Sequence, residues 1–362
     1  TMEEGKFQRG MGIGGWLTNY KRFHVIPKEK INVLTVGDEE HFRTYIGEKD
    51  VAYIASLGFD HVRLCFDQIV MQTEEGKPRE EHFALIDRFL EWSKKYGLGV
   101  VLNLHKAFGN YCDVDTGESL FETESLQEKF MAFWQDMAKR YLGEREVVFE
   151  LLNEVKNIPP KEWNDLAKKT VGAIRKVDGS REIVIGTTDW NSPDKLREIE
   201  VLEDENVAYT FHFYAPFEFT HQRGVLQTNT AFYNREMPYP DGIERYRDYQ
   251  RCVVNAQNPY AAFSAMDARF ISAALAPAAE FKKKNPEKKL WCGEFGTIRH
   301  CKLEWRINWM KDVISFLRKN GIPYCVWNYL SAPYDGNRFS LVDDETRKIL
   351  SRELQKTLLG EF

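Results

Sequence analysis

The chain has 362 residues, 43% hydrophobic and 29% charged, which is the composition of a water-soluble globular protein with ample core. Its net charge of −5, with acid and base interspersed, argues against nucleic acid or an anionic membrane as partner. No apolar run approaches the ~18 residues of a membrane span, and Thr1-Met2-Glu3-Glu4 lacks the basic and apolar regions of a signal peptide.

Eight strand-like runs are expected in chain order: Met11–Gly15, His61–Phe66, Gly99–Leu104, Val147–Leu152, Ile183–Thr187, Val207–Phe213, Lys289–Glu294 and Pro323–Asn328. Most are rich in Val, Ile, Leu and Phe with little alternation, as suits strands covered by helices on the outside. Amphipathic segments lie between them: Glu48–Ser56, His82–Tyr96, Gln127–Tyr141, Lys161–Lys176, Ala274–Lys284 and Glu304–Lys319, with Glu345–Leu358 closing the series. Strand and helix alternating eight times predict one α/β domain over 1–362, a (β/α)₈ TIM barrel; an open doubly wound sheet is the runner-up.

Two connections are long. A shorter insertion, Val25 to Phe42, follows the first strand and is expected to form a wall. After the sixth strand about 55 residues precede the next helix, far beyond an ordinary connection. This stretch, 215–270, carries ten aromatics and a helical run near Asp241–Val254. Because it emerges at a strand's C-terminal end, it is expected to form a small, mostly helical lid over the cleft.

The chemistry is written at the strand ends. The fourth run, VVFELLNE, stops in Asn153-Glu154, and the seventh, KLWCGE, stops in Glu294. Active sites of parallel barrels sit at those ends. The two glutamates are 140 positions apart, so they form no helix pair or capping box. Two carboxylates flanking one bond are what glycosidic cleavage needs, one as acid and one as nucleophile or base. Other strand ends supply Arg63, His105, His212 with Tyr214, and Trp327. A cation and a phenol would keep a nucleophilic carboxylate ionised, and an aromatic ring would carry the apolar face of a sugar. A glycan-binding barrel without catalysis would not need both glutamates.

Competing motifs are weaker. Gly10-Met11-Gly12-Ile13-Gly14-Gly15 satisfies G-x-G-x-x-G, but no apolar strand precedes it and the glycines themselves form the first strand. The chain has no Gly-Lys-Ser/Thr phosphate loop, HxH or HExxH, so no cofactor or catalytic metal is expected. The six cysteines lack framework spacing and read as reduced thiols, which fits the cytoplasm or a secreted bacterial enzyme without disulfides.

In order along the chain, GIGGWL, HVRLCFD, FELLNE, TFHFY, WCGEFG and VWNY resemble glycoside hydrolase family 5, the cellulase-type retaining hydrolases. The resemblance is strongest to clostridial endoglucanases with a helical insertion after strand six. It implies Glu154 as acid/base and Glu294 as nucleophile. Asn153 would hold the 2-hydroxyl, Arg63 and Tyr214 would steady the nucleophile, His105 and His212 would line the −1 subsite, and Trp327 would form its floor. Lys106 stands where many relatives have a second His, Phe108 where Pro is common, and Val155 where Pro often follows the acid/base. The implied activity is endo-cleavage of β-1,4 bonds in soluble or mixed-linkage β-glucan by a monomer. A β-mannanase and an exo-β-1,3-glucanase are the alternatives within the family.

Overall fold

The computed structural model describes residues 6–18, 30–111, 117–225, 228–333 and 335–362. Eight parallel strands close into a barrel: β1 Arg9–Leu17, β2 His61–Asp67, β3 Gly99–Lys106, β4 Val147–Glu150, β5 Ile183–Gly186, β6 Val207–Phe213, β7 Leu290–Phe295 and β8 Tyr324–Val326. Each pairs with its sequence neighbours, and β1 pairs with β8 to close the ring. The expected TIM barrel is therefore the fold. Between the strands run helices such as Glu80–Lys95, Glu124–Arg140, Pro160–Arg175 and Leu303–Lys319. Glu80–Lys95 opens on two acids and closes on two lysines, so both ends complement its dipole, and it buries Phe83, Ile86, Phe89 and Ser93.

Some boundaries differ from the expectation. β4 stops at Glu150 and β8 at Val326, which leaves Asn153, Glu154 and Trp327 beyond regular strand. Ala274–Lys284 is not one helix but the meeting of Ala268–Ala274 and Ala276–Lys284, the second carrying Pro277 in its first turn. The closing helix begins only at Arg352. Ahead of it the Asp343 carboxylate accepts from the backbone N–H groups of Glu345 and Thr346, an Asx-type turn that replaces the first helical turns. Of the insertion after β1, residues 25–29 lie outside the described residues, and Val36–Thr44 is a helix.

Side-chain alternation stacks the barrel interior in layers. Phe7, Val101, Val148, Val184, Ala208, Trp291 and Cys325 form an apolar floor. Two residues further along their strands come Asn103, Glu150 and Thr210, all fully buried. His61 and Arg63 follow the same order on β2. A Cβ on Gly10 would lie 2.2 Å from the His61 ring, so the glycines of β1 make room for barrel contents. That purpose is packing, not phosphate binding.

The excursion between β6 and helix Ala268–Ala274 holds helices Phe217–Thr220, Thr228–Tyr233 and Ile243–Cys252, and a two-stranded ribbon, Asp241–Gly242 with Ala265–Met266. It leans on the barrel's seventh unit: Tyr239 Oη donates to Asp312 at 2.6 Å, and Trp309 Nε1 donates to the Ala215 carbonyl at 3.0 Å. Eight of its ten aromatics pack into the hydrophobic core, leaving Phe217 and Phe232 as the exposed ones. Its aromatic content thus mostly serves core packing against the barrel. Five cysteines (65, 252, 292, 301 and 325) are free thiols, and Cys112 lies outside the described residues. No helix among the described residues is long and apolar enough to cross a membrane.

The chain's two ends are tied by Asp50, which accepts from Arg347 Nη1 at 2.8 and 2.9 Å and from Tyr329 Oη at 2.9 Å. Asp50 is buried while Arg347 is partly open to solvent. We expect Asp50→Asn to lower unfolding free energy by about 1–3 kcal/mol in urea titrations, with kcat unchanged. A fall in kcat at full folding would show that this tie also shapes the cleft.

Candidate active site

All eight residues singled out from the sequence come together at the C-terminal mouth of the barrel or directly beneath it. Arg63 is the hub. Its guanidinium is wholly buried: Nε and Nη2 donate to Glu150 at 2.7 and 2.9 Å, Nη2 also to Asn153 Oδ1 at 2.8 Å, and Nη1 to Glu294 Oε1. Glu294 Oε2 accepts from Tyr214 Oη at 2.8 Å. His212 Nδ1 lies 2.8 Å from Glu154 Oε1 and 3.5 Å from Glu294 Oε2, so one imidazole N–H faces both carboxylates. One carboxylate oxygen of Glu154 lies within 4.8 Å of one of Glu294.

Two backbone irregularities create this convergence. Trp291 belongs to the inner floor, so strict alternation would turn Glu294 outward. The pairing of β6 with β7 instead shifts between Phe211↔Cys292 and His212↔Glu294, a bulge at Gly293 that re-aims Glu294 inward. A Cβ at Gly293 would meet Thr210 Oγ1 at 2.7 Å, which explains the glycine. On β4 the chain leaves strand geometry after Glu150, and Glu154 adopts φ +44°. The adjacent Asn153 and Glu154 therefore both reach the site, which no regular strand permits.

The two carboxylates live in different surroundings. The Glu294 side chain is 5% exposed and takes donors from Arg63 and Tyr214, whereas that of Glu154 is 20% exposed. Burial pushes the Glu294 carboxyl above its ordinary range, and His212, Arg63 and Tyr214 pull the other way. His212 itself is driven down to about 4 by burial, so near neutral pH it acts on Glu294 as an N–H dipole, not a cation. The sequence suggests a nucleophile simply held ionised by a cation and a phenol. In the folded protein, burial outweighs them and the balance is upward.

His105 is buried and pushed well below its usual range, first by burial and then by Lys106, Arg63 and His212. Its Nδ1 accepts from Asn103 Nδ2 at 3.1 Å, and its ring lies parallel to that of Trp327, centroids 5.8 Å apart and 6° from coplanar. The backbone N–H of Trp327 donates to the Phe295 carbonyl at 2.9 Å. A Cβ on Gly296 would lie 2.2 Å from the Trp327 carbonyl oxygen, so WCGEFG needs its last glycine for this approach.

Glu150, inside FELLNE, is not marked as a site residue by the sequence pattern, because it looks like one more mid-strand position. Its signal is an ionisable group where a doubly covered strand should be apolar. Trp190 likewise carries no sequence signal of a site residue. It is 46% exposed, follows β5, and its N–H donates to the carbonyl of Val155, the neighbour of Glu154, at 2.9 Å. Three successive left-handed residues, Asp189, Trp190 and Asn191, turn it out there.

Among the described residues, Glu154, His212 and Glu294 form the one His/Cys/Asp/Glu group compact enough to chelate a metal. A cation placed there would confront the Arg63 guanidinium, which already donates to Glu294. The donor set suits proton transfer and covalent chemistry.

A parallel barrel with two close carboxylates at its C-terminal mouth is the arrangement that glycoside hydrolysis uses. The cellulase model, glycosyl hydrolase family 5, matches residues 29–332, and the chain belongs to that family. It is 38% identical to Endoglucanase C of Acetivibrio thermocellus, over 97% of this chain and 98% of that one. Cellodextrinase A of Ruminococcus flavefaciens is 30% identical over 87% and 83% of the two chains. Among solved structures, endoglucanase Cel5A of Thermotoga maritima superposes with a TM-score of 0.74 at 26% identity, covering 97% of each chain. That protein has been solved with cellobiose and with mannotriose.

Tyr214→Phe removes a donor to the charged form of Glu294 without emptying its space. The acid limb of kcat/KM should move up by about one pH unit and its plateau fall roughly ten- to a hundredfold. A limb that stayed in place would mean that Tyr214 does not govern the ionisation of Glu294.

Proposed function

We propose that the protein is an endo-acting, retaining β-1,4-glucanase in which Glu294 is the nucleophile and Glu154 the acid/base. The observation that carries this reading is the approach of the two carboxylates to within 4.8 Å, with both strong donors on Glu294. Retaining pairs stand roughly 5–5.5 Å apart, against roughly 6.5–9.5 Å in inverting enzymes, where a water must fit between.

The first step has ionised Glu294 attack the anomeric carbon while the bond to the leaving oxygen breaks and Glu154 gives that oxygen its proton. Glu154 is the more solvent-open of the two, as a group that must meet leaving group and then water. Once Glu294 is esterified its charge is gone, and Glu154 becomes the base for the incoming water. Asn153, held by Arg63, is set to face the 2-hydroxyl. His105 and Trp327 line the −1 site, with the Trp327 ring as its floor. No cofactor enters the scheme.

The full-length likeness to Endoglucanase C supports β-1,4-glucan as substrate. Exposed Trp190, beside the acid/base, and Phe217, stacked on His221 at 4.0 Å, offer rings to sugar faces. The first turn of the 215–270 insertion meets the site, His221 packing on Tyr214 and Phe217 stacking on His221, so we assign the lid function to that turn. Mannan oligosaccharides are expected to be cleaved more slowly, because the axial 2-hydroxyl alters the contact at Asn153.

Glu294→Gln should abolish turnover on every substrate, since no other group forms the covalent intermediate. Glu154→Gln should still show a burst of phenol from an activated aryl cellobioside, because a good leaving group needs no proton. A burst from Glu294→Gln instead would reverse the roles. For the substrate, initial rates on β-1,4-linked gluco- and manno-oligosaccharides decide: a higher kcat/KM on the manno series would overturn glucan while leaving the chemistry intact.

A further inference from the structure

Five N–H groups project from an arginine side chain, and in Arg63 every one has a partner. Nε and one Nη2 hydrogen address the two oxygens of Glu150, the other Nη2 hydrogen addresses Asn153, and Nη1 serves Glu294 and, at 3.6 Å, Cys65 Sγ. The guanidinium therefore cannot turn. Glu150 is itself completely buried, four residues before Glu154 and one layer below the reacting groups. One buried cation thus serves two carboxylates, and Glu150 holds the two-point grip.

We propose that Glu150 is a positioning residue for the nucleophile, fixing the Arg63 guanidinium and taking up part of its charge so that Glu294 is oriented without being over-stabilised. Paired one to one with a buried arginine, a carboxylate becomes a poor base and a poor nucleophile. Shared with Glu150, Arg63 aligns Glu294 Oε1 while leaving it reactive. Glu150 and Glu294 both hold the guanidinium charged against burial. The other groups around Glu294 are Glu154 from the β4 end, and His212 and Tyr214 from β6. The thiols nearby are Cys65 on β2, Cys292 on β7, whose Sγ donates to the Glu294 backbone carbonyl, and Cys325 in the floor below, each driven up by burial and so uncharged.

The inference rests on Glu294 being the nucleophile, and the test separates the two. The pH dependence of kcat/KM for an aryl cellobioside would be followed in Glu150→Gln and Glu150→Asp, with melting temperature and labelling by a 2-fluoro aryl cellobioside as parallel readouts. Glu150→Gln removes the charge, so Glu294 should hold its proton less tightly. Its acid limb should move to lower pH by roughly half a unit or more, with the plateau down roughly ten- to a hundredfold. Glu150→Asp keeps the charge and shortens the grip, so the limb should stay while the plateau falls severalfold. A merely structural Glu150 would lower the melting temperature in both variants and leave the limb in place, which overturns the proposal. Should Glu150→Gln not fold, Glu150→Asp decides, an unchanged plateau overturning it. Labelling at a residue other than Glu294 would refute the assignment of the nucleophile; labelling at Glu294 with an unmoved limb in Glu150→Gln would refute the role of Glu150 alone.

Discussion

The site depends on one buried cation. Taking an arginine out of water costs several kcal/mol even after relaxation, and the barrel interior offers no solvent to repay it. Arg63 is tolerated because its whole donor set is met by Glu150, Asn153, Glu294 and Cys65. That same set decides the geometry of catalysis. Asn153 and Glu294 come from strands on different sides of the barrel, and the guanidinium plane sets the angle between them. The apolar floor of Phe7, Val101, Val148, Val184, Ala208, Trp291 and Cys325 closes the barrel beneath the cation.

Much of this was legible in the sequence, and the reason is physical. A strand covered on both faces has no use for an ionisable tip, so glutamates, histidines and an arginine at strand ends stand out against Val, Ile and Leu. Eight strands and the helices between them follow from the same contrast. What could not be read is how alternation breaks. Counting by twos from Trp291 puts Glu294 on the wrong face, and only the bulge at Gly293 brings it back. Counting by twos along FELLNE gives no warning that Asn153 and Glu154 will share a face. Register is a property of two strands, and a single sequence shows one at a time.

The insertion after β6 teaches the opposite lesson. Ten aromatics in about 55 residues suggest a sugar-binding surface, yet the fold uses most of them to extend the barrel's hydrophobic core under the insertion. Tyr239, Tyr246 and Tyr249 are buried, each with little or no exposed surface. A short excursion has a poor ratio of volume to surface, and large rings are the economical way to hold it together. Aromatic content alone does not separate a binding face from a core. Exposure does: it leaves Phe217 and Phe232, and of these Phe217 sits at the turn that touches Tyr214 through His221.

The opposing pulls on Glu294 give the site its chemical character. A nucleophile must be anionic before attack and must lose little by giving that charge to carbon. Burial raises the energy of the anion, which favours attack, but unopposed it would leave the group protonated and inert. Arg63 and Tyr214 restore the charge, and unopposed they would make the anion too comfortable to react. Glu150 drains part of the cation's field, and His212, neutral near pH 7, contributes a dipole in place of a second full charge. Each neighbour is thus weaker, or more divided, than a stabiliser alone would need to be. The same imidazole lies 2.8 Å from Glu154, so one neutral N–H stands between the two carboxylates in place of a second full charge.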